Sequence, residues 1–97
     1  MIVVRDIFQV KFGHMKEALE FGRQMRKSFQ GPPESRPRFM TDLTGQYYTL
    51  VMEGTFKDLA DYEKSMRQEM PGISESYHKN FVPWIDSGRR EIFTIVE

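Results

Sequence analysis

The sequence contains no cysteine, and neither sign of charge is in excess. Without cysteine there is no disulfide bond, no thiolate nucleophile and no sulfur-ligated metal site. The 14 basic and 14 acidic residues are intermixed along the chain, so no basic stripe is available to neutralise phosphate groups. We therefore expect neither nucleic acid nor a thiolate-held metal as a partner.

Long apolar runs are also missing from the sequence. The N-terminal segment already meets charge at Arg5 and Asp6, which predicts neither a signal peptide nor a membrane span. The same absence of a membrane segment, together with the lack of cysteine, favours a cytoplasmic protein. A chain of 97 residues is expected to form one domain over residues 1–97.

Changes in apolar periodicity divide the chain into an ordered series of elements. Alternation with period two indicates strands, and apolar residues at i, i+3, i+4 and i+7 indicate helices. Met70-Pro71-Gly72 is expected to end the first of two late helical segments. The predicted elements are a strand at 2–12, a helix at 14–29, strands at 38–43 and 46–55 joined by a turn at Thr44-Gly45, helical segments at 57–68 and 74–82, and a strand at 89–97.

This βαββαβ order predicts the architecture. A right-handed crossover from the first strand leaves room for the third strand between the first two. The expected product is a ferredoxin-like α+β fold, with a four-stranded antiparallel sheet of order 4-1-3-2 and helices on one face.

The two faces of this sheet are expected to have different partners. The even-numbered side of the first strand is the more apolar and should lie under the helices. The opposite side carries Val3, Ile7 and Val51 without a helix to cover them, and such a patch usually marks an interface. Packing two sheets face to face around a two-fold axis predicts a homodimer, a dimeric α+β barrel.

The candidate catalytic residues are Asp6 and His78. Asp6 interrupts the apolar face of the first strand, so its carboxylate either pairs with an arginine or borders a small wet cavity. His78 lies beside the apolar stripe of the last helical segment and could act as a general base. For each of them a purely structural role is the alternative. Arg89 and Arg90 begin the predicted last strand, where alternation points one of them to the helix side.

Aromatic side chains from the two late helical segments are the candidate ligand-binding residues, although such residues also form ordinary cores. No phosphate loop, dinucleotide fingerprint or spacing typical of metal ligands is legible, so neither a cofactor nor a metal is expected. The expected ligand is therefore a small apolar or aromatic molecule. The residues that would bind it are Tyr62, Tyr77, Phe81 and Trp84.

Two stretches of the sequence resemble a known group of proteins. The end of the first strand, Val10-Lys11-Phe12-Gly13, and the segment 81–92, which contains Ser87-Gly88-Arg89-Arg90, look like NIPSNAP-type domains. That resemblance spans essentially the whole chain. It implies the dimeric α+β-barrel superfamily, with the antibiotic-biosynthesis-type monooxygenases, the stress-responsive barrel proteins and the haem-degrading monooxygenases.

The resemblance leaves three functions open. One is a cofactor-free monooxygenase-like enzyme, in which an electron-rich aromatic substrate supplies the electrons and His78 and Asp6 act as base and orienting partner. A second is a non-enzymatic oligomerisation or stress-response module. The third, haem binding or degradation, relies on a strand Asn, a helix Trp and a helix His, which fall near Asp6, Tyr62 and His78, so that only the histidine is retained.

Overall fold

A four-stranded antiparallel sheet forms one layer of the structure, a computed structural model that describes residues 1–68 and 72–97. The strands are β1 (Ile2–Val10), β2 (Arg38–Thr41), β3 (Thr49–Phe56) and β4 (Ile85–Thr94). Their order across the sheet is β2-β3-β1-β4, which is the predicted order 4-1-3-2 read from the other edge. All neighbouring strands are antiparallel, so the predicted ferredoxin-like fold class is confirmed.

Helices form the second layer, on the even-numbered side of β1. The α-helices are α1 (Met15–Ser28), α2 (Leu59–Met66) and α3 (Ile73–Ser76). Helix α2 begins after Asp58, whose carboxylate accepts a hydrogen bond from the backbone N–H of Asp61 (2.8 Å), a common way to satisfy a free donor at a helix start. Of the predicted helix stop at Met70-Pro71-Gly72, the first two residues lie outside the described ranges.

The connection between β2 and β3 is longer than predicted. The prediction of a two-residue turn at Thr44-Gly45 is wrong, because a loop over residues 42–48 joins the strands. The carboxylate of Asp42 accepts a hydrogen bond from the backbone N–H of Thr49 (2.9 Å), and Tyr48 has a φ of 55°. This side-chain bond and the left-handed residue take the chain out of strand geometry earlier than the apolar pattern indicates.

Strand β4 begins at Ile85, earlier than the predicted start at residue 89. Gly88 looked like part of the segment that leads out of the helix, but it pairs with Phe8 of β1. A Cβ atom at Gly88 would lie 3.0 Å from the Phe8 ring. This glycine is therefore required by packing within the strand and does not end it.

An apolar cluster holds α1 and the last helical segment against one end of the sheet. Ala18 and Leu50 have no exposed area, and the ring centroids of Phe21 and Phe81 lie 4.9 Å apart. Burial of a large apolar side chain stabilises the fold by about 1.5–3 kcal/mol. The cluster consists of Val10, Ala18, Phe21, Leu50 and Phe81.

The opposite face of the sheet, which we call the outer face, has a buried carboxylate in its middle. Glu53 is 7 % exposed and accepts hydrogen bonds from Nε of Arg5 (2.8 Å) and Nε of Arg38 (3.1 Å). Burial works against the ionised form, but the hydrogen bonds and charges of both arginines outweigh it and keep the pKa of Glu53 below its usual value. Apolar residues share this face in the strand register: Val3, Ile7, Met40, Val51 and Phe93.

Candidate functional site

A cavity of about 660 Å³ lies between the sheet and the helices. Its floor is made by alternate residues of β1 and β3 together with residues 85–90 of β4, and α1, α2 and residues 73–82 contribute the other walls. None of the eight residues of α2 is buried, so this helix does not close a core beneath it. Apolar side chains line much of the cavity, including Val4, Phe8, Met25, Met52, Phe56 and Met66.

Asp6 and Arg90 form an ion pair in the cavity wall. The pairing of β1 with β4 sets the two residues opposite each other, and Nε of Arg90 donates a hydrogen bond to Oδ1 of Asp6 over 2.6 Å. Asp6 is 6 % exposed, whereas the side chain of Arg90 is 47 % exposed. The hydrogen bond to Asp6 raises the pKa of Arg90 above its usual value. Asp6 thus has an arginine partner, its structural alternative, and also borders a cavity.

Tyr62 of α2 lies next to this ion pair. The Cζ atom of Arg90 is 5.7 Å from the centroid of the Tyr62 ring, within the range of a cation–π contact, and Phe56 packs edge-on against the same ring. The Tyr62 hydroxyl is covered from solvent and has no hydrogen-bond partner among residues 1–68 and 72–97. Burial raises the pKa of Tyr62, with Arg90 opposing the shift and Asp6 adding to it. The hydroxyl is therefore a protonated donor at neutral pH.

A π-helical turn over Tyr77–Phe81 decides which aromatic residues reach the cavity. The backbone N–H of Val82 donates to the carbonyl of Tyr77, five residues earlier, which makes the turn wider than in an α-helix. Tyr77 and Phe81 both line the cavity, with ring centroids 5.6 Å apart. His78 is exposed and is not part of the cavity lining. The structure therefore does not bring His78 and Asp6 into one site.

Trp84 also lies outside the cavity lining. It belongs to a 3₁₀ turn over Val82–Trp84 and stacks on His14, with ring centroids 4.0 Å apart and an angle of 8° between the rings. Its carbonyl accepts a hydrogen bond from the backbone N–H of Lys11 (2.8 Å). This stack joins the start of α1 to the segment that leads into β4.

Four of the six predicted site residues are gathered in the cavity wall, namely Asp6, Tyr62, Tyr77 and Phe81. Arg90 is a further residue of the site, and the sequence alone could not distinguish it from Arg89. Alternation assigned either Arg89 or Arg90 to the helix side, and the register with β1 selects Arg90. The signal for it was an unpaired aspartate on the neighbouring strand. The three positions implied for haem are not brought together, because His78 lies outside the cavity.

Histidine and carboxylate groups are scattered in the described part of the chain. No group of three or more such side chains that could hold a metal ion occurs within residues 1–68 and 72–97. No helix in these ranges is long and apolar enough to cross a membrane.

The complete arrangement of strands and helices recurs in solved structures. An uncharacterised NIPSNAP-like domain protein from Burkholderia xenovorans has a TM-score of 0.81 at 19% sequence identity, over 98% of this chain and 84% of its own. A NIPSNAP family protein from Agrobacterium tumefaciens has a TM-score of 0.80 at 16% identity, over 99% and 93%. The chain has the NIPSNAP fold.

The same fold also occurs in an enzyme. SnoaB, a cofactor-independent oxygenase from Streptomyces nogalater, has a TM-score of 0.74 at 14% identity, over 99% of this chain and 93% of its own. No protein-family model and no curated protein sequence matches the chain. The resemblance to NIPSNAP-type domains and antibiotic-biosynthesis-type monooxygenases that the sequence predicted is thus confirmed as a likeness of fold.

Proposed function

We propose that the protein binds a small apolar or aromatic molecule in the cavity between the sheet and the helices. The observation that carries this proposal is the volume of about 660 Å³, which lies within the roughly 300–1,000 Å³ that small-molecule pockets occupy. Small-molecule sites have mostly apolar walls and a few placed polar groups. Asp6, Tyr62 and Arg90 supply such groups, and Met25, Met52 and Met66 supply side chains that adapt to the shape of a ligand.

The binding of a neutral fluorescent probe tests this proposal. N-phenyl-1-naphthylamine, an apolar aromatic amine, should fluoresce on binding to the wild-type protein. Its titration should saturate at a defined stoichiometry. Ser65 of α2 lines the cavity, whereas its neighbour Lys64 is exposed and does not. Ser65→Trp should place an indole ring in the cavity and weaken the signal, and Lys64→Trp should leave it unchanged. Equal binding by both variants would contradict the proposal.

Two copies of the chain are proposed to associate through their outer faces. Ile7 and Val51 lie side by side in the register of β1 and β3, and Phe93 is 46% exposed on β4. Covering these residues with the same surface of a second copy removes apolar area from both chains and closes the assembly around a two-fold axis. Native mass spectrometry of the wild-type protein should show a dimer at micromolar concentration, and a folded monomer would contradict this association.

Cofactor-free monooxygenation of the bound molecule is the more specific form of this function. The fold is that of SnoaB, a cofactor-independent oxygenase, and Asp6 lies in the cavity wall where it could accept a proton. In such a reaction an activated CH₂ group of an electron-rich aromatic substrate becomes C=O. One oxygen atom of O₂ enters the product, the other leaves as water, and the substrate supplies all four electrons. His78, the base predicted from the sequence, lies outside the cavity lining, so we assign the role of base to Asp6.

Oxygen uptake distinguishes catalysis from binding alone. With an anthrone as the probe, the wild-type protein should consume one O₂ for each molecule of quinone formed, and added catalase should return no oxygen. Asp6→Asn should slow the reaction and His78→Ala should not, because only Asp6 lies in the cavity wall. Binding of the neutral probe without oxygen uptake would leave a binding protein. Absence of both would favour the alternative, a non-enzymatic oligomerisation or stress-response module.

A further inference from the structure

The polar part of the cavity wall has more donors than acceptors. A guanidinium group has five N–H donors and no acceptor. The carboxylate of Asp6 takes only the Nε donor of Arg90. No further hydrogen bond from the Arg90 side chain to a protein group occurs in residues 1–68 and 72–97. The two terminal nitrogens of a half-exposed arginine are therefore available to a molecule in the cavity.

A second donor lies in the same part of the wall. The hydroxyl of Tyr62 is covered from solvent and lacks a partner within the described ranges, although buried polar groups are rarely left without one. The Arg90 guanidinium lies over the Tyr62 ring, so the two donors belong to the same part of the wall. The acceptor that would complete this part of the wall is an oxygen atom from outside the chain.

We infer that the ligand of this cavity is an amphipathic anion: an apolar body among the methionine and aromatic side chains, and one ionised oxygen at Arg90 and Tyr62. This inference rests on the proposed function and specifies its ligand class. Asp6 fixes the guanidinium through Nε, so the terminal nitrogens are held for a second acceptor. The terminal nitrogens of Arg90 draw the ionised oxygen toward the wall beside Tyr62, while Nε stays on Asp6.

The other charged residues of the cavity lining are Asp86 and Arg89. Arg89 has a partner in Glu91, with Nε 3.7 Å from Oε2, and Asp86 is exposed. Neither forms the buried pair that fixes Arg90, so we place the anion at Arg90. A carboxylate on an acyl chain and a carboxylate on an aromatic ring meet this description equally, because the recognised chemistry is the oxyanion and the apolar body attached to it.

A pair of probes that differ by one charge tests the inference. 1-Anilinonaphthalene-8-sulfonate has the same aromatic skeleton as N-phenyl-1-naphthylamine plus a sulfonate group. The wild-type protein should bind the sulfonate at least about tenfold more tightly than the neutral amine, the factor that a single charge-assisted hydrogen bond gives. Arg90→Gln should remove this preference, so that its affinities for the two probes lie within about twofold of each other. Arg67→Gln changes the exposed arginine that follows α2 and lies outside the cavity lining, so it should keep the preference.

A double variant tests the same inference if Arg90→Gln does not fold. In the double variant Asp6→Asn/Arg90→Gln no buried charge is left without a partner, and the preference for the sulfonate should again be lost. Displacement of the sulfonate probe by decanoate or by 2-naphthoate then distinguishes an acyl-chain anion from an aromatic one. Displacement by neither, equal affinity of the wild type for both probes, or a preference that survives in the double variant would overturn the inference. If the neutral amine itself does not bind, the proposed function has failed instead.

Discussion

The two faces of the sheet each contain a buried carboxylate, and the two carboxylates are satisfied differently. Glu53 on the outer face is 7% exposed and lies between Arg5 and Arg38. Asp6 on the cavity face is 6% exposed and has a single arginine partner, Arg90. The two carboxylates are thus buried to a similar extent, but Glu53 has two arginine partners and Asp6 has one.

This difference separates a structural ion pair from a candidate binding site. On the outer face the charges and hydrogen bonds of Glu53 are used within the chain, so that face offers apolar residues as its free surface. On the cavity face Arg90 has free donors and the Tyr62 hydroxyl has no partner in the described ranges. Burial alone does not distinguish the two carboxylates, and neither do the free donors of their arginines, since Arg5 also uses only its Nε; the covered Tyr62 hydroxyl marks the cavity face as the candidate site.

The largest effect is expected from a charge placed on the outer face. Ile7 is 8% exposed already in the single chain, and it lies in the proposed interface. Ile7→Asp should dissociate or unfold the protein, because a desolvated carboxylate without a partner costs several kcal/mol. Sedimentation velocity and circular dichroism report the two outcomes. Ile7→Val is the matched control and should retain the wild-type oligomeric state with a loss of about 1 kcal/mol; an Ile7→Asp protein that behaves like this control would remove the proposed interface.

A smaller effect is expected from neutralising each carboxylate. Glu53→Gln should lower the free energy of unfolding by about 1–3 kcal/mol, since two arginines lose a charged acceptor. Asp6→Asn should cost less, because a single arginine is affected. Urea denaturation of both variants measures the difference. A larger loss for Asp6→Asn would show that the two faces had been ranked in the wrong order.

The pH dependence of the Glu53 variant sharpens the same comparison. The pKa of Glu53 is lowered in the folded protein, so its stabilising effect is present above the unfolded-state pKa of about 4.3 and is lost as the pH falls through the folded value. The stability gap between wild type and Glu53→Gln should be constant at neutral pH and should shrink below about pH 4.3. A gap that stays constant down to pH 2 would contradict this assignment.

The smallest effect is expected at the cavity tyrosine. Tyr62→Phe should change the free energy of unfolding by less than about 0.5 kcal/mol, because the hydroxyl has no partner to lose in the described ranges. Ser35→Ala is the contrasting variant: the Ser35 hydroxyl is buried and donates to the carbonyl of Thr55 (2.6 Å), so its removal should cost about 1 kcal/mol. Thermal unfolding of the two variants provides the comparison. A loss at Tyr62 as large as at Ser35 would mean that the tyrosine hydroxyl is already bonded.

The sequence predicted the fold and the floor of the cavity because both depend on short-range alternation. The even-numbered face of β1, including Asp6, could be assigned from period two alone. His78 could not be placed, because a 3.6-residue period was assumed where the chain makes a π-helical turn. Trp84 was placed with the cavity aromatics, but it belongs to a 3₁₀ turn and its stacking partner His14 lies far away in sequence. Such long-range partners are set by packing and leave no local pattern.

The pairing of Asp6 with Arg90 joins positions 84 residues apart in the chain, and this has a consequence for folding. Contacts of such large sequence separation carry a high loop-closure cost and form slowly. A nascent chain still lacking β4 has the first three strands but not the wall that holds Arg90, so it has no complete site. A molecule that binds only the finished wall favours the last step of sheet closure by mass action. In the cell, such a molecule would then stabilise the folded chain as well as serve as its ligand, and its scarcity would be felt as a larger fraction of unfolded chains.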